Sequence, residues 1–222
     1  MMKRGFVFDL DGTLVDSLPG IARGLNLALE SLGLPTHAPE AVRQMVGQGA
    51  RELCKSALSS ENHPIDAITE AEIDALHAGF MREYPHQWRE GTLIYPGIIE
   101  LLNQLVKAGH RLAILSNKPH AVTAPLIKAL FPTIPFDPIL GYSERFPRKP
   151  DPTSLLHIIE TWGLSVQQVT MIGDSAHDGN TAINAGANLL LVGWGYSTPE
   201  ALRSFDAPIC SNTEELATHL LS

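Results

Sequence analysis

Phe6-Val7-Phe8-Asp9-Leu10-Asp11-Gly12-Thr13-Leu14-Val15-Asp16-Ser17 is the stretch on which the reading of this chain turns. The apolar run from Gly5 to Phe8 stops abruptly at two carboxylates one residue apart, followed by Gly-Thr, the pattern of a buried strand feeding a turn. In open α/β sheets ligands bind outside the carboxyl ends of strands, so Asp9 and Asp11 stand where chemistry is expected. An acidic turn that merely caps the next helix could rely on Asp16 or Ser17 alone, and leaves the pair unexplained.

Working outward, the 18–33 segment spaces Leu18, Ile21, Leu25, Leu29 and Leu32 as one face of a helix. Helical periodicity returns over 40–59, interrupted by Gly47-Gln48-Gly49-Ala50-Arg51, and again over 66–84 before Pro85. No convincing strand falls between Leu18 and Tyr84. After Tyr95-Pro96-Gly97 the rhythm changes to short alternating helices and strands, the signature of a parallel sheet covered on both faces. Helices are expected over 97–108, 120–130, 153–162, 179–185 and 213–221. Strands are expected over 111–115, 137–141, 168–172 and 188–192, with a short one near Ile209. The predicted fold is α/β, a doubly wound, Rossmann-like, mostly parallel sheet built from residues 1–16 and 86–222, with an inserted all-helical domain over 17–85.

Composition narrows the function. Lys plus Arg number 16 against 24 Asp plus Glu, a formal charge of −8, and no basic run interrupts the acidic background. Binding to nucleic acid or to an anionic membrane surface is disfavoured. The chain runs from Met1-Met2-Lys3-Arg4 straight into a strand, and no window approaches the ~20 apolar residues of a membrane span, so a soluble cytoplasmic protein is expected, monomer or homodimer. Cys54 and Cys210, far apart and without CxxC spacing, are expected to be free buried thiols.

Three of the expected strands end in polar clusters: Asp9 and Asp11, Ser116 and Asn117, and Asp174 with Asp178, while Lys149 precedes a helix. A doubly wound sheet brings these ends to one edge. Carboxylates gathered there repel one another, and a hard divalent cation relieves the repulsion; oxygen donors suit Mg²⁺, which also accepts a substrate phosphate in its octahedral shell.

Asp9-Leu10-Asp11-Gly12-Thr13-Leu14-Val15-Asp16-Ser17, Ser116-Asn117-Lys118-Pro119, Lys149-Pro150-Asp151-Pro152 and Gly173-Asp174-Ser175-Ala176-His177-Asp178 together resemble the four ordered motifs of the haloacid dehalogenase superfamily. The resemblance spans nearly the whole chain and identifies the helical insertion with that family's cap. It implies that Asp9 attacks phosphorus to form an aspartyl-phosphate, and that Asp11 acts as general acid and then base. It implies a Mg²⁺ site made by Asp9, Asp174 and the Asp11 backbone carbonyl, with Asp178 behind them. Gly12, Thr13, Ser116 and Asn117 would hold the other phosphoryl oxygens, and Lys149 would offset the charge of the nucleophile and of the group transferred.

An Asp two positions after the nucleophile distinguishes phosphate-ester members of the superfamily from its dehalogenases and phosphonate-cleaving members. Within that set the chain looks most like the phosphoglycolate phosphatases, through Val46-Gly47-Gln48-Gly49-Ala50-Arg51-Glu52-Leu53, the Lys-Pro of the second motif and Val192-Gly193-Trp194-Gly195-Tyr196. Gly47 and Gly49 would let amides approach a small anion, and Arg51 would grip a substrate carboxylate bidentately; equally, the glycines could form a plain interhelical turn with Arg51 in solvent. The expected partner is a small phosphate ester. Alternatives are a sugar phosphomutase, a pyrophosphatase of the same superfamily, or a non-catalytic phospholigand-binding module.

Overall fold

A computed structural model describes residues 4–60 and 63–222. Met1, Met2 and Lys3 at the expected start, and Glu61 and Asn62 in the connection before the third helical segment, lie outside the described residues. The chain divides into two compact units, Met1–Val15 with Ile94–Ser222, and Asp16–Leu93.

In the first unit β1 (Gly5–Phe8) is followed, at the crossing to the second unit, by the short strand β2 (Val15–Asp16). The second unit carries α1 (Leu18–Ser31), α2 (Pro39–Met45), α3 (Ala50–Leu58) and α4 (Glu70–Gly91), and the chain returns through β3 (Leu93–Ile94). Then come α5 (Ile98–Lys107), β4 (Arg111–Pro119), α6 (His120–Leu130), β5 (Phe136–Tyr142), α7 (Thr153–Trp162), β6 (Val169–Gly173) and α8 (Ala176–Ala185). β7 (Asn188–Val192), α9 (Pro199–Leu202), β8 (Ile209–Cys210) and α10 (Thr213–Leu221) complete the chain.

The main sheet runs β5-β4-β1-β6-β7-β8 with every neighbouring pair parallel. β1 is the switch point, because the chain first adds β4 and β5 on one side of it and then returns to add β6, β7 and β8 on the other. Phe8 is level with Ile114 of β4 and Ile172 of β6, so the carboxyl ends of these three strands point to one edge of the sheet. All four β1 residues are buried, as a strand covered on both faces requires. Val7, Ala113, Leu115 and Met171 form one core with Leu155, Ile158 and Trp162 of α7, where each large aliphatic side chain contributes about 1.5–3 kcal/mol of burial.

Several element boundaries differ from those expected of the sequence; α8, for one, begins at Ala176 and not at 179. β4 continues past Leu115 to Pro119 and pairs Ser116 with Gly141 of β5, so the polar second motif is strand, and Ser116, Asn117 and Lys118 are all buried. α4 does not stop before Pro85 but runs through it to Gly91. Proline there removes an amide donor at a cost of roughly 3 kcal/mol, yet Phe80, Tyr84 and Trp88 lie buried on either side of it, and α4 packs along α1, enough apolar surface to hold the helix together. Its start is fixed by a capping box in which Thr69 and Glu72 satisfy each other's amides. Cys54 and Cys210 are free and buried. Among the described residues no helix is long and apolar enough to cross a membrane.

Candidate active site

The edge of the sheet in the first unit collects the charged residues. Asp9 follows β1, Asp174 follows β6, and Asp178 lies in the first turn of α8; one oxygen from each lies within 4.8 Å of the others. Lys149 enters from the loop before α7, 3% exposed, with its Nζ 2.6 Å from Asp178 Oδ1 and 2.8 Å from Asp9 Oδ1.

Each member is fixed by local structure. Asp178 closes the capping box of α8, its Oδ2 accepting from the Ser175 amide at 3.1 Å and the Ser175 hydroxyl at 2.7 Å, so both its oxygens are committed. Asp174 accepts from Thr13 Oγ1 at 3.2 Å and from the Tyr196 amide at 2.7 Å. The backbone must come very near to do this: a Cβ on Gly12 or on Gly195 would collide with the Asp174 carboxylate, and Gly12 also has a φ of 84° that favours glycine. Trp194 Nε1 donates to the Thr13 carbonyl at 3.2 Å, tying the loop after β7 to the turn after β1.

Asn117 reaches the site through Lys149. Its Oδ1 accepts from the Lys149 amide at 2.7 Å and its Nδ2 donates to the Lys149 carbonyl at 3.1 Å, so the side chain clamps the backbone that carries the ammonium. Ser116 Oγ accepts from the Lys118 amide at 3.3 Å. The Gly12 amide donates to the Val15 carbonyl at 2.8 Å and the Thr13 amide to the Leu10 carbonyl at 3.2 Å, which closes the turn upon itself.

Asp11 stands apart from the carboxylate cluster. Both of its oxygens accept from Lys118 Nζ, at 2.9 and 2.8 Å. Sequence reasoning gives Lys118 no role of its own. The signal is a Lys-Pro directly after the Ser-Asn of the second motif, hidden because a lysine at an apparent strand end reads as solvated. The amide of Tyr196 and the glycine at 195 are likewise missed as holders of Asp174.

Burial, the largest influence, and Asp178 push the Asp9 carboxyl up to about 7 despite the nearby Lys149 ammonium. Burial and the neighbouring Asp178 and Asp9 raise Asp174 to about 8. Burial works against the charge on Lys149, but the two carboxylates outweigh it and leave its pKa raised. Three carboxylates facing one ammonium leave the cluster short of positive charge. Asp9 Oδ1 is moreover buried, with the Lys149 ammonium at 2.8 Å as its ion-pair partner. An all-oxygen, anionic, buried donor set with three carboxylates to one ammonium fits a hard divalent cation such as Mg²⁺. Asp9 and Asp174 would hold it, with Asp178 behind, while the Asp11 carboxylate is on Lys118.

The residues singled out in the helical unit are arranged differently. Gly47 and Gly49 have φ of 121° and 92° in the turn between α2 and α3. Arg51, in the first turn of α3, pairs with Glu70 and Asp74 of α4. A cavity of about 460 Å³ in this unit, lined by Leu29, Leu34, His37 and His63 among others, includes none of the three.

The sequence profile of haloacid dehalogenase-like hydrolases matches residues 6–192, from β1 through β7. The chain is 35% identical over 213 residues to the phosphoglycolate phosphatase of Escherichia coli, an alignment that covers 90% of this chain and 84% of that protein. It is 37% identical over 194 residues to the phosphoglycolate phosphatase of Pseudomonas syringae pv. tomato, covering 86% and 70% respectively. Among solved structures it is similar to one described as a predicted phosphoglycolate phosphatase from Haemophilus somnus, with a TM-score of 0.87 at 28% identity over 98% of this chain and 97% of that one.

Proposed function

The chain belongs to the haloacid dehalogenase-like hydrolases, and from that premise we propose a Mg²⁺-dependent phosphomonoesterase that works through an aspartyl-phosphate on Asp9 and acts on 2-phosphoglycolate. The observation that carries this reading is the Asp9 carboxylate set 2.8 Å from the Lys149 ammonium and within 4.8 Å of Asp174 and Asp178. The substrate is taken from the relatives that bear its name.

Asp9 attacks phosphorus in line as the ester oxygen–phosphorus bond breaks, and Asp11, which takes up a solvent proton once its ion pair with Lys118 opens, gives that proton to the departing alkoxide. Asp11 then takes a proton from the water that attacks the same phosphorus, which releases inorganic phosphate and restores Asp9. Lys149, immobilised by Asn117, offsets the charge of the nucleophile and of the transferred group, where a fixed charge in a dry site counts most. Mg²⁺, bound at Asp9 and Asp174, would draw charge from the phosphoryl oxygens. Ser116, within β4, remains the side-chain donor assigned to those oxygens; Gly12 and Thr13 contribute through the turn they close.

Phosphate release from 2-phosphoglycolate, hexose phosphates, nucleotides and pyrophosphate, with Mg²⁺ and with chelator, tests this. The expected result is metal-dependent turnover with the highest kcat/KM for 2-phosphoglycolate. Equal turnover with chelator, or transfer of label between positions of a hexose phosphate in place of release, overturns it.

A further inference from the structure

Lys149, Arg51 and Lys118 are each held by carboxylates, and of the three Lys118 alone sits on the residue assigned to the leaving oxygen. Lys149 is taken up by Asp9 and Asp178, and Arg51 by Glu70 and Asp74. Lys118 holds Asp11 by both oxygens, at 2.9 and 2.8 Å, with the lysine side chain 6% and the aspartate side chain 13% exposed.

The geometry points to Lys118 as the reader of a carboxylate on the substrate's leaving group, with the Asp11 carboxylate occupying that carboxylate's place in the substrate-free protein. This rests on the reading of Asp11 as the group that meets the leaving oxygen. A side chain bonded to Asp11 is then a neighbour of that oxygen, and 2-phosphoglycolate carries its carboxylate only two bonds away from it. A largely covered ammonium already seated on a carboxylate needs no new desolvation to accept another in exchange. The exchange breaks no covalent bond: the ammonium passes from Asp11 to the substrate, or shares its donors between them, and Asp11, freed of its counter-ion, takes up from solvent the proton it gives to the leaving oxygen. Esters whose carbon next to the bridging oxygen bears a carboxylate are favoured over sugar and simple alkyl phosphates for this reason. Arg51, engaged on α4, is not required for the discrimination.

Calorimetric binding of two non-hydrolysable probes to the Mg²⁺-loaded protein provides the test. These are 3-phosphonopropionate, which keeps the carboxylate, and n-propylphosphonate, which lacks it. Wild type is expected to prefer the former about 10–100-fold, the worth of one charged hydrogen-bonded contact. Lys118→Met is expected to bring the two affinities to within about 3-fold of each other, and Arg51→Ala to keep the preference. If Lys118→Met does not fold, Lys118→Gln, which retains a donor to Asp11 without the charge, takes its place. Equal affinities in wild type, a preference that survives loss of the lysine, or one abolished by Arg51→Ala would each overturn the assignment and leave the phosphatase reading intact. Failure of wild type to bind either phosphonate overturns both.

Discussion

At the edge of the sheet, Lys149 faces two carboxylates with almost no access to water. In the helical unit, Arg51 also faces two carboxylates, but its partners Glu70 and Asp74 are 79% and 66% exposed. The chemistry of the two triads is nearly the same and their energetics are not. In water, ion pairs gain little because solvent screens them and long side chains must be ordered. Buried, the same charges interact strongly, and removal of one partner strands the others in a medium that cannot solvate them. The chain thus holds charge at high cost in one place, at the edge of the sheet, and at low cost in the other, where it ties α3 to α4.

The largest break in this comparison is Lys149→Met. It leaves Asp9 and Asp178 buried without their counter-ion, for which a loss of about 3–5 kcal/mol is expected by chemical denaturation, and with it at least about 10²-fold in kcat. Preserved stability with lost activity would show that the ammonium serves catalysis without supporting the fold. Next in size is Asn117→Ala, which strips the clamp from the Lys149 backbone and leaves its buried amide and carbonyl without these partners. About 1–3 kcal/mol of stability and roughly a tenfold drop in kcat at little-changed KM are expected. An effect on KM alone would instead favour direct contact of Asn117 with substrate.

The cluster also predicts how stability depends on pH and Mg²⁺. In the metal-free protein the folded state holds protons on Asp9 and Asp174 up to about 7 and about 8, whereas the unfolded chain releases them near 3.8. Because the folded state binds more protons between those limits, metal-free stability falls as pH rises from about 4 to about 8 and levels off above. Mg²⁺ bound at these carboxylates would replace the lost protons, and its stabilisation is expected to grow over the same window. At a hundredfold excess over its dissociation constant at pH 8, the gain is about 2.7 kcal/mol, or roughly 5–10 °C in Tm. Thermal unfolding with Mg²⁺ and with chelator at pH 5.5 and pH 8 measures it, and an equal gain at both values would separate the ion from these carboxylates. The smallest effect is expected for Arg51→Met, a slight fall in Tm that is further reduced by salt. A loss comparable with that of Lys149→Met would erase the contrast between the two triads.

What the sequence discloses obeys the same division between local pattern and distant contact. The helices expected over 120–130, 153–162 and 213–221 coincide with α6, α7 and α10, because apolar spacing along one face is a local property. The convergence of Asp9, Asp174 and Asp178 is legible from strand ends alone, since a parallel sheet delivers them to one edge. The pairing of Lys118 with Asp11 spans 107 positions and involves a lysine whose burial no local pattern announces. Asn117 reads as a phosphate group's neighbour, while its side chain is spent on the Lys149 backbone, a contact set by the approach of β4 to the loop before α7. Pro85 reads as a stop because its backbone cost is local, whereas the burial of Tyr84 and Trp88 that outweighs it is tertiary.

Whether Asp9 carries the phosphoryl group is decided most directly by acid quench during turnover of 2-phosphoglycolate with Mg²⁺, followed by peptide mass spectrometry. A phosphoryl group on the peptide containing Asp9, absent with chelator and absent from Asp9→Asn, is the expected result. Steady turnover with no phosphorylated peptide on that time scale, or with the phosphoryl group on another residue such as His177, would contradict it.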